Sequence, residues 1–179
     1  MNLRITDRNL ILTGYVEPNK PRVARQVAEH LGMPFVDVEA RIEDRFGDNM
    51  SYIRSHYGER RLKSVEGDLM EEVMLHRHAV IRVNGSTLMH GEHIERLQQN
   101  GVIVCLVARL DAILQQMHLT MGARYHNPQE REAALGALRR EWTVRGVPGI
   151  HEIDATYKDE ATLIDDVIAL WQEISIERA

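Results

Sequence analysis

Cysteine is nearly absent: Cys105 stands alone among 179 residues, and lysine occurs only at positions 20, 63 and 158. A lone thiol excludes an internal disulfide framework and any cysteine-rich zinc site. Cys105 sits in the apolar run Val102-Ile103-Val104-Cys105-Leu106-Val107, which predicts an inert core thiol. No apolar stretch reaches the roughly 18 residues of a membrane span, and no secretory leader pattern opens the chain, so a cytoplasmic location is expected. A formal charge of −5 gives no general attraction to nucleic acid or anionic membrane. Basic residues are not interleaved with aromatics along a stripe, which removes nucleic acid as an expected partner. A serine-nucleophile elbow, Gly-x-Ser-x-Gly, is missing. His76-Arg77-His78 and His90-x-x-His93 lack a third spaced ligand, so no metal site is expected from them.

What is present is ordinary for a globular domain: 44 % apolar and 27 % charged residues. That length and composition predict one domain over residues 1–179 with a substantial core. Five short apolar runs, at 9–13, 35–38, 79–83, 102–107 and 150–153, alternate with helical patterns. Such alternation predicts βαβ units and a parallel sheet. Runs apolar at nearly every position suit strands buried on both faces. The first helix places Val23, Val27 and Leu31 on one side and stops at Gly32, with Pro34 following. Leu62, Val65, Leu69 and Val73 predict a helix over about 62–76, and Leu163, Val167, Ile168 and Trp171 a terminal one. The segment 117–128 lacks a core pattern and precedes a highly charged helix over 130–140. It fits either a mobile cover over a site or an ordinary connection.

The chemically informative segment is Gly14-Tyr-Val-Glu-Pro-Asn-Lys-Pro21. It lies between the first predicted strand and the first helix, and Gly14 and Lys20 stand at the spacing of a phosphate-binding loop. Such a loop cradles phosphates with backbone N–H groups at a helix N-terminus. Here Pro18 and Pro21 lack that N–H, and Pro21 also lacks the hydroxyl that ligates magnesium. Asn19 replaces a glycine, the mildest of the changes. Glu17 adds a carboxylate where polyphosphate should lie. At an effective dielectric of about 20 and roughly 5 Å, each such charge pair costs about 3 kcal/mol, on the order of a hundredfold in affinity. The loop is therefore read as a degenerate one. Its simpler reading is a helix start with proline at the first position.

Further motifs follow in order. Phe35-Val36-Asp37-Val38-Glu39 ends the second predicted strand, and Ile42-Glu43 and Gly47 come after it. Gly58-Glu59-Arg60-Arg61-Leu62-Lys63-Ser64-Val65-Glu66 opens a helix. Val80-Ile81-Arg82-Val83-Asn84-Gly85-Ser86 spans the third predicted strand and the turn that ends it, and Arg145 precedes the last strand. Together, over nearly the whole chain, these resemble the shikimate kinase family, which transfers the γ-phosphoryl group of ATP to a hydroxyl of shikimate. The resemblance implies a three-layer α/β fold with a central five-stranded parallel sheet, of the nucleoside-monophosphate-kinase P-loop kind. It implies catalytic roles for Lys20 and Asp37, with Asp37 on the magnesium side and Glu39 meeting substrate hydroxyls. Lys63 and Arg145 would hold the substrate carboxylate, Asn84 and Gly85 would line the pocket, and Arg124 would be the lid arginine. The chain departs from the family where it has Glu39 for Asp, Lys63 for Arg, and Asn84 and Ser86 for two of three glycines. It also has Arg124-Tyr125 for Arg-Pro. Lysine offers a point charge in place of a planar bidentate fork, so that exchange is not conservative. Each residue also has a structural reading: Asp37 as a helix cap, Lys63–Glu66 as a solvated pair, Asn84-Gly85 as a turn.

The expectation is a shikimate-kinase-like protein whose phosphoryl transfer is lost or severely impaired, leaving a ligand-binding, regulatory or scaffolding role. No cofactor is expected on that reading. The alternative is an active, divergent small-molecule kinase using Mg·ATP. Either way the expected partner is a small anionic or hydroxylated ligand; a protein partner is not legible in the sequence.

Overall fold

The computed structural model describes residues 7–14 and 22–177. Strands β1 (Asn9–Gly14), β2 (Phe35–Asp37), β3 (Val80–Arg82), β4 (Gly101–Val107) and β5 (His151–Asp154) form one parallel sheet in the order β2-β3-β1-β4-β5. Every residue of β1 and β4 is buried, and alternate side chains enter two different cores. Leu10, Leu12, Val102, Val104 and Leu106 pack with α1 (Arg22–Leu31) and α9 (Glu160–Glu177) on one face. Ile11, Ile103, Cys105 and Val107 pack on the other face. There they meet α2 (Val38–Phe46), α4 (Glu59–Val73), α5 (Gly85–Leu88) and α6 (His93–Asn100); α3 (Met50–His56) joins α2 to α4. Coverage on both sides explains why these strands carry no polar alternation. Each buried aliphatic side chain contributes about 1.5–3 kcal/mol.

The expected strands are all present, with shifted ends. Val38 belongs to α2 rather than to β2, because Asp37 caps that helix by accepting the Ala40 N–H at 3.3 Å. Ala79 and Val83 flank β3, and Ile150 precedes β5. The helix expected from 62 begins earlier, at Glu59 beside Gly58, and ends at Val73. The first helix stops as predicted: Gly32 is left-handed (φ 64°) and the Met33 N–H returns to the Ala28 carbonyl at 2.9 Å.

The segment 117–128 comprises the end of α7 (Leu110–Met121), a 3-10 turn (Gly122–His126) and the start of α8 (Pro128–Glu141). It shares a small core, because Met117 packs with Ile113 and Leu138. Asn127 caps α8 by accepting the Gln129 N–H at 3.0 Å, and Pro128 takes the first turn, where its missing donor does no harm. A second 3-10 turn, Trp142–Val144, follows and packs on α5. This connection carries the end of α8 over the carboxyl ends of β1 and β3.

Candidate functional site

The carboxyl ends of parallel strands form the crevice where α/β proteins of this topology bind ligands. Gly14 closes β1 there with φ 96°, and a Cβ on it would lie 2.2 Å from the Leu106 carbonyl oxygen. Only glycine fits that position. Glu17, Asn19, Lys20 and Pro21 lie outside the described residues.

Asp37 and Arg82 are register partners at the ends of β2 and β3. The Arg82 guanidinium lies 3.5 Å from the carboxylates of both Asp37 and Glu39. Burial opposes its charge, but Glu39, Asp37 and Glu141 together raise its pKa above the ordinary arginine value. Asn84 is buried (6 % exposed) and donates its amide N–H to Glu39 at 2.5 Å. Only the NH₂ end can face a carboxylate, so the Asn84 Oδ1 points elsewhere, and it has no partner among the described residues. Gly85 donates its backbone N–H to the Glu141 carboxylate at 3.1 Å. A Cβ at Gly85 would stand 2.0 Å from the Glu141 carbonyl oxygen, so α8 closes directly on this glycine. Burial pushes the Glu141 pKa up, opposed by Arg82 and by the N–H groups of Gly85 and Gly14. The structure thus brings together Asp37, Glu39, Asn84 and Gly85, and adds Arg82 and Glu141.

The other expected site residues make no hydrogen bond to this network among the described residues. Lys63 is exposed on α4. Its neighbour Glu66 turns inward, 1 % exposed, and accepts from Thr87 Oγ1 at 3.0 Å with His90 Nδ1 at 2.9 Å. Lys63 and Glu66 therefore do not form the solvated pair. Arg124 pairs with Glu130 on the outside of α8. Arg145 is exposed, its guanidinium 5.0 Å from the Trp142 ring centroid. His93 Nδ1 lies 2.9 Å from the Thr87 carbonyl, and His76 has its pKa lowered by burial and by Arg41.

Sequence reasoning missed Arg82 and Glu141. Arg82 had a signal: an arginine interrupting the apolar run Val80-Ile81-Arg82-Val83 needs a nearby anion. Glu141 had none, because it ends the charged string Arg139-Arg140-Glu141 and meets Gly85 across 56 positions.

Magnesium beside Asp37 would have to compete with Arg82. One carboxylate oxygen already serves the Ala40 N–H and the Arg82 guanidinium. A divalent cation roughly 5 Å from Arg82, at an effective dielectric of about 20, is repelled by about 7 kcal/mol before screening, and a carboxylate at the same distance attracts it by as much, so the guanidinium cancels one of the two anions that would hold the metal. Among the described residues no cluster of three or more His, Cys, Asp or Glu forms a metal site elsewhere.

The other half of the crevice is different. A cavity of about 420 Å³ opens where Ala108 and Ala155 follow β4 and β5, with Val23, Ala112, Thr156 and Leu163 among its walls. Its volume lies within the range of small-molecule pockets. No helix among the described residues is long and apolar enough to cross a membrane.

Comparison with known proteins agrees with this layout. A family model described as Shikimate kinase matches residues 19–169. A curated shikimate kinase of Thermodesulfovibrio yellowstonii is 32% identical over 127 residues, covering 69% of this chain and 73% of that protein. One of Xylella fastidiosa is 26% identical over 172 residues, covering 93% of this chain and 96% of its own length. The solved shikimate kinase of Acinetobacter baumannii in complex with shikimate superposes with a TM-score of 0.71 at 22% identity, over 91% of this chain and 92% of that one. The architecture is that of the nucleoside-monophosphate-kinase-like P-loop proteins, and the chain belongs to the shikimate kinase family.

Proposed function

We propose that this chain is a shikimate-kinase-family protein in which ATP-dependent phosphoryl transfer is lost or severely impaired, and that its crevice binds a small ligand in a regulatory or scaffolding role. The observation that carries this is the Arg82 guanidinium, 3.5 Å from both Asp37 and Glu39. The family resemblance puts the magnesium and the acceptor hydroxyls beside those two carboxylates. Phosphoryl transfer depends almost wholly on positioning and on neutralising charge at the phosphates. A guanidinium held between the two carboxylates competes with the metal for Asp37 and with the acceptor for Glu39. Pro18, Asn19 and Pro21 in the loop, together with Glu17, add to the same reading through lost donors and an added anion. Arg124 and the segment 117–128 would then be the remnant of a lid.

The second reading is an active, divergent kinase transferring phosphate from Mg·ATP to shikimate or a related hydroxy acid. The cavity at β4 and β5 and the names of the curated relatives favour it. It requires Arg82 to leave Asp37 when nucleotide binds.

Calorimetric titration of Mg·ATP and ADP into the purified protein, with an assay of ADP release on adding shikimate, separates the two. The proposed function expects no ADP release above background and no tightening of nucleotide binding by Mg²⁺. Micromolar Mg·ATP affinity with shikimate-dependent turnover would overturn it.

A further inference from the structure

The stretch from Leu110 to Glu141, α7 and α8 with the 3-10 turn between them, is built as a body of its own. Ile113, Met117 and Leu138 form its small core, distinct from the two cores that flank the sheet. A unit with so few buried side chains opens at far lower cost than the sheet beside it. The chain is anchored on either side of it. Arg109 donates its backbone N–H to Thr156 Oγ1 at 2.9 Å, and Val144 is fully buried in the main core. Between these anchors the end of α8 packs on α5 and β1. Across that seam the Glu141 carboxylate accepts the Gly85 N–H at 3.1 Å and faces the Gly14 N–H as well. The rest of the seam is poorly matched. Thr13 Oγ1, Asn84 Oδ1 and Trp142 Nε1, on the neighbours of Gly14, Gly85 and Glu141, are three of the four buried side-chain polar atoms without a partner among the described residues. Each forgoes water that it would regain if α8 lifted. Burial of the Glu141 charge, which raises its pKa, works in the same direction.

We infer that Glu141 is a latch: its hold on Gly85 and Gly14 keeps residues 110–141 down over the crevice, and its release lets this arm lift and uncover both glycines. The arm turns on α7 just after Arg109 and on the 3-10 turn Trp142–Val144. The contact is autoinhibitory, because while it is made the two N–H groups and the space above them belong to the chain itself. Hydrogen bonds from one carboxylate hold the seam shut, and hydration of the groups buried beneath it favours opening. Two opposed terms at one seam give an element with two settings. The latch does not depend on the loss of phosphoryl transfer, since an active enzyme would have to break the same contact.

Two nitroxide labels on the full chain read the position of the arm by electron–electron dipolar spectroscopy. Ala133→Cys on α8 and Gln99→Cys on α6 place them at exposed positions. Cys105 stays unlabelled, since it is buried and its thiol is pushed up to about 12. Glu141→Gln removes the charge but keeps an oxygen for the Gly85 N–H, whereas Glu141→Ala removes the acceptor altogether. The comparison of these two isolates the hydrogen bond. The labelled parent and its Gln variant are expected to show one distance. The Ala variant should add a second, longer one, with an open-to-closed ratio about tenfold or more above that of the Gln variant. Leu138→Ala loosens the arm's own core while sparing the latch, and should keep the single distance. Ala and Gln variants with the same distribution overturn the inference, as does a parent whose arm is already spread over many distances. An open population in Leu138→Ala equal to that in Glu141→Ala does so too, since any weakening of the arm would then release it. Circular dichroism and thermal melts establish that each variant is folded before the distances are compared.

Discussion

The two halves of the crevice are built in opposite ways. Beside β4 and β5 a cavity of about 420 Å³ mixes small apolar walls, Ala108, Ala112 and Ala155, with polar and charged ones, Gln116, Lys158 and Glu160. Beside β2 and β3 the corresponding space is crossed by ion pairs and hydrogen bonds running from Asp37 through Arg82 and Glu39 to Asn84, with Glu141 on Gly85. A space already open accepts a ligand without breaking contacts of the protein's own. A half filled by its own charges is complete only when every member keeps its partner. That contrast separates a place where a ligand enters without rearrangement from one where it must compete with the protein's own side chains.

The contrast breaks most directly at Arg82. Arg82→Ala leaves the Asp37 and Glu39 carboxylates facing each other without a cation and should cost about 3 kcal/mol in urea unfolding, toward the low end for partly buried pairs because Glu39 keeps solvent contact. An unchanged midpoint would mean that the network contributes nothing to the closed half. Arg82→Ser, if it folds, should instead make nucleotide binding tighten on adding Mg²⁺. Next in size is the loop: Glu17→Gly, Asn19→Gly and Pro21→Ser together should raise ATP affinity on the order of a hundredfold by calorimetry. No gain would locate the impairment in the β2–β3 half alone. Gly85→Ala places a methyl 2.0 Å from the Glu141 carbonyl oxygen, and α8 must shift to admit it. A cost of about 2 kcal/mol in chemical denaturation is expected. Ala112→Trp fills the open cavity and should weaken nucleotide binding about tenfold with little change in melting temperature; equal loss of both would show that the cavity is structural.

The smallest effect is the dependence on pH. Burial raises the Glu141 pKa in the folded chain, so the folded state holds that proton more firmly than the unfolded one. The stability from this group is complete below the usual carboxylate range and declines as pH rises through its folded-state value. Glu141→Gln should remove that decline, so melting curves of variant and wild type diverge upward from the carboxylate range. Curves that stay parallel across that range would mean that Arg82 and the two N–H donors fully offset the burial.

How much of this was legible in the sequence follows from the range of the forces involved. The strands were, because β4 is apolar from Val102 to Val107 and β1 from Leu10 to Leu12, and burial on both faces leaves that mark on the chain itself. Their ends were not, since Val38 reads as strand until Asp37 is seen to cap α2. Glycines with one permissible residue, such as Gly14, were also visible in their spacing. Glu39 with Asn84, and Gly85 with Glu141, are matters of distance across 45 and 56 positions and leave no local trace. Lys63 and Arg145 illustrate the reverse: their positions fit a motif, while their side chains are exposed and no hydrogen bond ties them to the network among the described residues.

Cys105 has a practical consequence. It lies on β4 at zero exposure, and burial pushes its thiol up to about 12, so in the native state it offers a labelling reagent neither access nor thiolate. Because no other sulfhydryl exists in the chain, modification by a maleimide becomes a clock for opening of the central sheet. A small molecule that tightens either end of the molecule will slow that clock, with no probe having to be engineered in.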